Sequence, residues 1–224
     1  MVIHSQPAAR GSSGGRLYIF GAGGFGREVA WLASQSFVPP MELVHLVDDP
    51  RYLDAEVAGR RVLLLSQVIA MTDDNYVVAL GDVAARRRAA AACEAIGLKP
   101  ATVIHPRVEM SGRVLVGHGA VICAGCILTT EVTVGNHVHI NLSCTVGHDV
   151  SIGDFSTVSP GVHISGNVVI EQDVFVGTGV NIINGKNGSP LVIGAGSIIA
   201  AGACVTKSVE PGALMAGVPA VRKR

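Results

Sequence analysis

The chain has 224 residues, 49% of them hydrophobic, which is enough for a substantial core in one large domain or two small ones. Seventeen Lys and Arg balance seventeen Asp and Glu, and only 4% of residues are aromatic, so neither a net field nor base-stacking platforms favour nucleic acid. No apolar run approaches the roughly 18 residues of a membrane span.

The amino terminus and the cysteines indicate the cellular location of the protein. MVIHSQPAARGSSGG lacks the apolar segment of a secretion signal, and we expect residues 1–15 to be a flexible leader or a remnant of expression. The five cysteines are odd in number and scattered, as is typical of reduced thiols. These features predict a soluble, cytoplasmic protein.

Residues 16–101 alternate strand-like and helical segments. RLYIF, ELVHLV and YVVAL predict strands, whereas REVAWLASQ and VAARRRAAAACEAIG predict helices, the second ending at Gly97. This order predicts a small Rossmann-like α/β domain with a parallel sheet, in which a ligand binds at the carboxyl ends of the strands.

The loop GAGGFG carries a G-x-G-x-x-G motif, formed by Gly21, Gly23 and Gly26, between a strand and a helix. Backbone N–H groups and the helix N-terminus can face a phosphate there. Asp48 and Asp49 end the next strand, where they could bind a ribose hydroxyl or a base edge. An NAD site follows as easily from these residues, but about 85 residues is only half of a dinucleotide fold. A tight packing turn is the structural alternative.

After Pro100 the hydrophobic period becomes six. Each sixth residue is aliphatic and is often followed by glycine, and a second register four residues later is small or β-branched. The period slips at NGKNGSP, residues 184–190, and resumes at Ile193. Period six indicates a parallel β-helix with three flat faces over residues 102–215, followed by a C-terminal tail, residues 216–224. The aliphatic positions are Ile104, Met110, Val116, Ile122, Leu128, Val134, Ile140, Val146, Ile152, Val158, Ile164, Ile170, Val176 and Ile182.

With these motifs the sequence resembles the hexapeptide-repeat acyltransferases with a left-handed β-helix, and within them the bacillosamine, perosamine and sialic acid acetyltransferases. The resemblance covers residues 16–222 and is carried by YIFGAGGFGREV, LVDD, VVALGD, NLSCTVGHD and AGVPA. It implies a homotrimer that binds acetyl-CoA in the groove between adjacent β-helices. It also implies a nucleotide-linked sugar as the second substrate, bound by the front domain, which is the α/β domain of residues 16–101.

His148 and Asp149 lie side by side at a predicted corner of the repeat. Acetyl transfer to an amine or hydroxyl requires a base, and a histidine beside a carboxylate suits that role. The resemblance makes His148 the base and Asp149 its partner, although Asp149 stands where some relatives have glutamate. Polar residues also collect at corners for structural reasons. Asn141 matches a position near the sugar, with a corner-stabilising asparagine as the alternative.

The resemblance also assigns the two substrates. It implies a nucleotide-sugar pocket formed by Gly23, Gly24, Phe25, Asp48, Asp49 and Gly81. It implies acetyl-CoA contacts at Thr157, Thr178 and Ala201, mostly through backbone atoms, although Thr157 replaces a histidine of relatives. The polar insertion at residues 184–190 predicts a protruding loop that could cover the pantetheine arm, where Lys186 could meet a phosphate or remain solvated.

Three alternatives stay open from the residues. A metal enzyme of the gamma carbonic anhydrase kind would need three clustered histidines, and we expect no metal because His137 and His139 should diverge around a corner. A nucleotide-sugar-binding scaffold without catalysis would bind ligand but consume no thioester. Within the enzymes, N-acetylation of a UDP- or GDP-linked 4-amino sugar competes with O-acetylation of a sialic acid or another sugar. The remaining candidate metal ligands are His118, His163, Cys123 and Cys126.

Overall fold

The computed structural model describes residues 3–4, 15–37, 40–53 and 56–223. The predicted leader therefore lies outside the described residues, apart from Gly15 and the short strand β1 (Ile3–His4). The chain divides into two compact units, one of residues 7–106 and one of residues 1–6 with 107–224. The domain boundaries expected from the sequence stay a proposal. Among the described residues, neither helix is long and apolar enough to cross a bilayer.

The front unit is a parallel sheet flanked by two helices. A four-stranded parallel core has the spatial order β5-β3-β2-β6, and β4 and β7 extend it at its two edges. Its central strands are apolar and buried, as expected of parallel strands covered on both faces. The elements are β2 (Arg16–Phe20), α1 (Gly24–Ser36), β3 (Glu42–Val47), β4 (Glu56–Val57), β5 (Arg60–Leu64), β6 (Asn75–Val78), α2 (Val83–Ala95), β7 (Lys99–Pro100) and β8 (Val103–Ile104).

The second unit is a three-faced coil of short strands. Parallel pairing joins residues eighteen apart, such as Val114 to Val132 and Val132 to Val150, so one coil contains three hexapeptides. The aliphatic register points inward and is buried from Val116 onward, and Ile104 and Met110 are half-buried. The predicted α/β domain followed by a left-handed parallel β-helix is confirmed.

Each face is a ladder of strands from successive coils. The first face has the order β1-β10-β13-β16-β19-β22, and the third has β24-β21-β18-β15-β12-β9. The second contains β26-β25-β23-β20-β17-β14-β11. The strands are β9 (Glu109–Met110), β10 (Val114–Val116), β11 (Val121–Ile122), β12 (Ile127–Leu128), β13 (Val132–Val134), β14 (His139–Ile140), β15 (Thr145–Val146), β16 (Val150–Ile152), β17 (Thr157–Val158), β18 (His163–Ile164), β19 (Val168–Ile170), β20 (Phe175–Val176), β21 (Asn181–Ile182), β22 (Leu191–Ile193), β23 (Ile198–Ile199), β24 (Cys204–Val205), β25 (Leu214–Ala216) and β26 (Val221–Arg222).

Two strands of the second unit, among its described residues, run against the parallel direction. β1 pairs antiparallel with β10 on the first face, and β26 pairs antiparallel with β25 on the second. The residues predicted as a C-terminal tail therefore include the end of β25 and all of β26.

Candidate active site

His148 and Asp149 form a hydrogen-bonded pair at the corner that joins β15 to β16. Nδ1 of His148 lies 2.7 Å from Oδ2 of Asp149, and both side chains are more than half exposed, at 58% and 56%. Because a carboxylate only accepts hydrogen bonds, Nδ1 donates to Asp149, and in the neutral imidazole Nε2 is then the acceptor. Asp149 has φ +55°, which turns the chain at the corner. The pair has the tautomer that a general base requires.

The imidazole of His148 lies against Gly166 of the next coil. A Cβ on Gly166 would lie 2.5 Å from Cε1 and 2.5 Å from Nε2 of the ring. Only glycine leaves room for the ring there. Sequence reasoning missed Gly166, although it lies eighteen residues after His148 and so one coil directly above it.

Asn141 is engaged within its own corner. Its side-chain Nδ2 donates to the carbonyl oxygen of Val158 in the next coil at 3.2 Å, and its own carbonyl accepts from the thiol of Cys126 at 3.0 Å. These bonds support the corner-stabilising role that the sequence left open. A contact with the sugar stays a prediction.

Two of the three predicted acetyl-CoA positions are neighbours. Thr178 and Ala201 are exposed at the same corner in successive coils, where the carbonyl of Thr178 accepts from the amide of Gly202 at 2.8 Å. Thr157 lies elsewhere, on β17, and its side chain is only 4% exposed. The described chain therefore offers Thr178 and Ala201 to a ligand, whereas the Thr157 side chain is covered.

His148 and the two predicted acetyl-CoA positions lie at opposite ends of the third face. His148 follows a strand of that face, whereas Thr178 and Ala201 precede strands of it. His148 and the pair Thr178 and Ala201 therefore lie at different corners of one chain, separated by the width of that face.

The glycines of the front unit divide into two kinds. Gly21 has φ +122°, and a Cβ on Gly26 would lie 2.2 Å from the carbonyl oxygen of Gly21, so both are needed for the turn itself. A Cβ on Gly23, Gly24 or Gly81 would meet nothing within 4 Å. These three are exposed and adjoin the carboxyl ends of β2 and β6. Open backbone at this edge suits the approach of a ligand.

The other predicted pocket residues have different environments. Phe25 is half-buried in the first turn of α1. Asp49 caps the turn at residues 50–52 by accepting from the amide of Arg51 at 2.9 Å, and its carboxylate also pairs with the Arg51 guanidinium. This pairing lowers the pKa of Asp49. Asp48 is exposed at the end of β3. Of the two aspartates, Asp48 has the carboxylate that faces solvent without this ion pair.

His45 is a buried histidine beneath the glycine turn, and sequence reasoning missed it. Its Nδ1 donates to the carbonyl oxygen of Gly21 at 2.9 Å, and its Nε2 is buried and has no partner among the described residues. Burial lowers the pKa of His45 against the opposing effect of the Gly21 hydrogen bond. The ring therefore supports the turn as a neutral imidazole. The signal for His45 in the sequence was a polar residue within the apolar strand ELVHLV.

The alternative metal ligands do not assemble. Among the residues that the structure describes, no three His, Cys, Asp or Glu side chains form a group that could hold a metal ion. His137 and His139 are both buried, and the ring of His137 stacks on Phe155 at 4.8 Å between centroids. Cys123 and Cys126 are also buried.

Comparison with known proteins bears on both units. A family model described as the PglD N-terminal domain matches residues 16–92. GDP-perosamine N-acetyltransferase from Escherichia coli O157:H7 is 32% identical over 209 residues, which cover 90% of this chain and 93% of that protein.

Solved structures match most of the chain. WeeI from Acinetobacter baumannii AYE has a TM-score of 0.87 at 30% identity, covering 93% of this chain and 99% of that one. The acetyltransferase domain of PglB from Neisseria gonorrhoeae FA1090, in complex with acetyl coenzyme A, has a TM-score of 0.82 at 30% identity. That match covers 92% of this chain and 98% of the PglB domain.

Proposed function

Because the chain belongs to the hexapeptide-repeat sugar acetyltransferases, we propose that it transfers the acetyl group of acetyl-CoA to the amino group of a nucleotide-linked 4-amino sugar. It is an acyltransferase, and acetyl-CoA is its co-substrate. The nucleotide is GDP in this proposal, since a relative that matches along nearly the whole chain is named for GDP-perosamine. UDP is the alternative.

The observation that carries the proposal is the exposed His148–Asp149 pair. Asp149 holds the imidazole with Nδ1 protonated, and this leaves the Nε2 lone pair directed away from the carboxylate. His148 takes the proton of the acceptor amine as its nitrogen attacks the thioester carbonyl. The N–C bond forms and the C–S bond breaks, and His148 then gives the proton to the departing thiolate of CoA. Asp149 stabilises the imidazolium between these two transfers.

We propose that the acting unit is a homotrimer. His148 and the pair Thr178 and Ala201 lie at opposite ends of one face, so a second copy is needed to bring a base beside the bound coenzyme. A cyclic trimer supplies three identical sites of this kind, each shared by two copies. A cytoplasmic location fits the five cysteines, all of which are free thiols.

The front unit binds the nucleotide in this proposal. Gly23, Gly24 and Phe25 begin α1, where backbone N–H groups and the helix dipole favour phosphate. Gly81 follows the neighbouring strand β6 and keeps that edge open. Asp48 supplies a free carboxylate for a ribose or base N–H or O–H group. Asp49 contributes by ordering the turn through Arg51.

The experiment is a thiol-release assay with acetyl-CoA and GDP-, UDP- and CMP-linked sugars as acceptors. We expect turnover with a GDP-linked 4-amino sugar and a product whose acetyl group resists neutral hydroxylamine, as an amide does and an ester does not. His148→Ala should lower kcat at least about a hundredfold, and Asp149→Asn should lower it less.

His118→Ala is the matched control, because His118 is a half-buried corner histidine without a carboxylate partner of this kind. It should retain wild-type turnover. A hydroxylamine-labile product would indicate O-acetylation, and tight sugar binding without thiol release would indicate a scaffold. Near-normal kcat in His148→Ala would reject His148 as the base.

A further inference from the structure

The insertion at residues 184–190 projects from the same corner of the β-helix as His148. The backbone amide of Asn167 donates to the carbonyl of His148, and the amide of Gly185 donates to the carbonyl of Gly166, both at 3.0 Å. His148, Gly166 and Gly185 therefore occupy one corner in three successive coils. At about 4.8 Å per coil, the base of the insertion lies roughly 10 Å along the axis from His148.

Hydrogen bonds at its base and tip hold the insertion in a defined conformation. Lys186 and Ser189 exchange two backbone hydrogen bonds, of 3.0 and 2.9 Å, across the tip. At the base, the amide of Leu191 donates to the carbonyl of Asn167 at 3.0 Å, and a Cβ on Gly185 would lie 2.1 Å from the same carbonyl. The insertion is therefore anchored to the coil on which the His148 ring rests.

The corner beyond His148 is basic. We call residues 165–167, 183–190 and 206–208 the basic ridge, because they contain Lys186 and Lys207 and no Asp or Glu. Both lysines are exposed, and neither has an ion pair or side-chain hydrogen bond among the described residues. Two uncompensated ammonium groups on a rigid edge favour an anion.

We propose that the basic ridge binds phosphate groups of a substrate whose reacting end lies at His148, with Lys186 as the principal cation. This inference rests on the proposed function. The phosphates of acetyl-CoA are the favoured source, since in the proposed trimer Thr178 and Ala201 of a neighbouring copy bring the coenzyme to the corner that carries His148 and the insertion. The diphosphate of the nucleotide sugar has the same chemistry, and the experiment distinguishes the two.

The test compares wild type with Lys186→Gln and with the Lys186→Gln, Lys207→Gln double variant. KM and kcat are measured with acetyl-CoA, with acetyl-pantetheine, which has no phosphate, and with the nucleotide sugar varied. CoA binding is measured by calorimetry without turnover. Lys186→Gln should raise KM for acetyl-CoA and Kd for CoA about three- to tenfold at unchanged kcat, as expected for loss of a charged contact at an exposed site. KM for acetyl-pantetheine should not change.

Asn187→Ala is the matched control, since it alters the same loop without changing its charge, and it should behave as wild type. If only the KM for the nucleotide sugar rises, the basic ridge is still a phosphate site, but it binds the diphosphate of that substrate. Unchanged constants for both phosphorylated substrates, or an equal loss with acetyl-pantetheine, overturn the proposal. Because calorimetry needs no acetyl transfer, the Kd for CoA does not depend on which residue is the base or which sugar is the acceptor.

Discussion

The imidazole of His148 rests on the Cα of Gly166, one coil further along the β-helix. A single methyl group at that Cα would come within 2.5 Å of two ring atoms. The absence of a side chain at Gly166 therefore helps to set the position of the proposed base, in addition to the hydrogen bond that its Nδ1 donates to Asp149.

Gly166→Ala should reduce activity more than stability. The added methyl group meets the ring of an exposed side chain, which can rotate away, so the fold is retained but the base is displaced. We expect kcat to fall about 10- to 100-fold, as for small misplacements of reacting groups, with KM for the nucleotide sugar unchanged. Kinetics and thermal melting measure the two effects.

Gly153→Ala provides the contrast, because its Cβ would lie 2.5 Å from the backbone amide nitrogen of Gln172. Backbone cannot rotate away, so this variant should lower Tm. Wild-type kcat in Gly166→Ala would show that the ring position seen here is not the one used in catalysis.

Replacing the two aspartates at the end of β3 should have different effects. Asp48→Ala should raise KM for the nucleotide sugar about tenfold or more and leave KM for acetyl-CoA unchanged, because it removes an exposed carboxylate at the proposed nucleotide edge. Asp49→Ala removes the cap of the turn at residues 50–52 and should lower Tm, whereas Arg51→Ala removes only the guanidinium pair and keeps the backbone amide that Asp49 caps. Equal changes in both KM values for Asp48→Ala would contradict the division between the two substrates.

Mixing two inactive variants should restore activity if the site is shared between copies. His148→Ala lacks the base, and Ala201→Trp obstructs the proposed coenzyme surface. In a random one-to-one mixture of trimers refolded together, about a quarter of the sites combine an intact His148 with an intact Ala201 from a neighbouring copy. Thiol release near a quarter of the wild-type rate is the expected readout. No recovery in mixed trimers of confirmed composition would place both residues in the site of one copy.

The buried His45 should make the front unit less stable at acidic pH. Its pKa is lowered in the folded state, chiefly by burial, and nearby Arg27 and Arg60 act in the same direction. The unfolded chain binds a proton near pH 6.5 that the folded chain does not, so stability should fall as the pH drops below about 6.5 and level off below the folded pKa. Thermal melting between pH 8 and pH 5 measures this effect.

His45→Gln is the matched variant, since its amide can still donate to Gly21 but does not titrate in this range. The pH dependence of its Tm should be shallower than that of wild type. An identical slope in the two proteins would show that other groups account for the acid sensitivity.

The period of six predicted the β-helix well because one inward residue per hexapeptide is required by the geometry of the coil. β5 was missed, since its sequence RRVLL begins with two arginines and lacks the apolar run that marked its neighbours. His45 reads as a polar residue within an apolar strand, and only its contact with Gly21 shows its role. The difference between Asp48 and Asp49 depends on Arg51, whose side chain folds back on one of them.

The separation of His148 from Thr178 and Ala201 could be recognised only from the three-dimensional coil. Counting by sixes places each residue at a corner, but assigning them to opposite ends of one face needs the strand ladders. In the proposed trimer, the residues that complete each site from a neighbouring chain depend on assembly, which a single repeat pattern does not contain.

The two antiparallel strands also have a consequence for solubility. A stack of parallel rungs presents unpaired N–H and C=O groups at each end, and such edges can template the addition of further chains. β1 lies across one end of the first ladder and β26 across the opposite end of the second. By reversing direction there, the chain blocks in-register growth, so deletion of residues 217–223 should favour fibre formation from an otherwise folded protein.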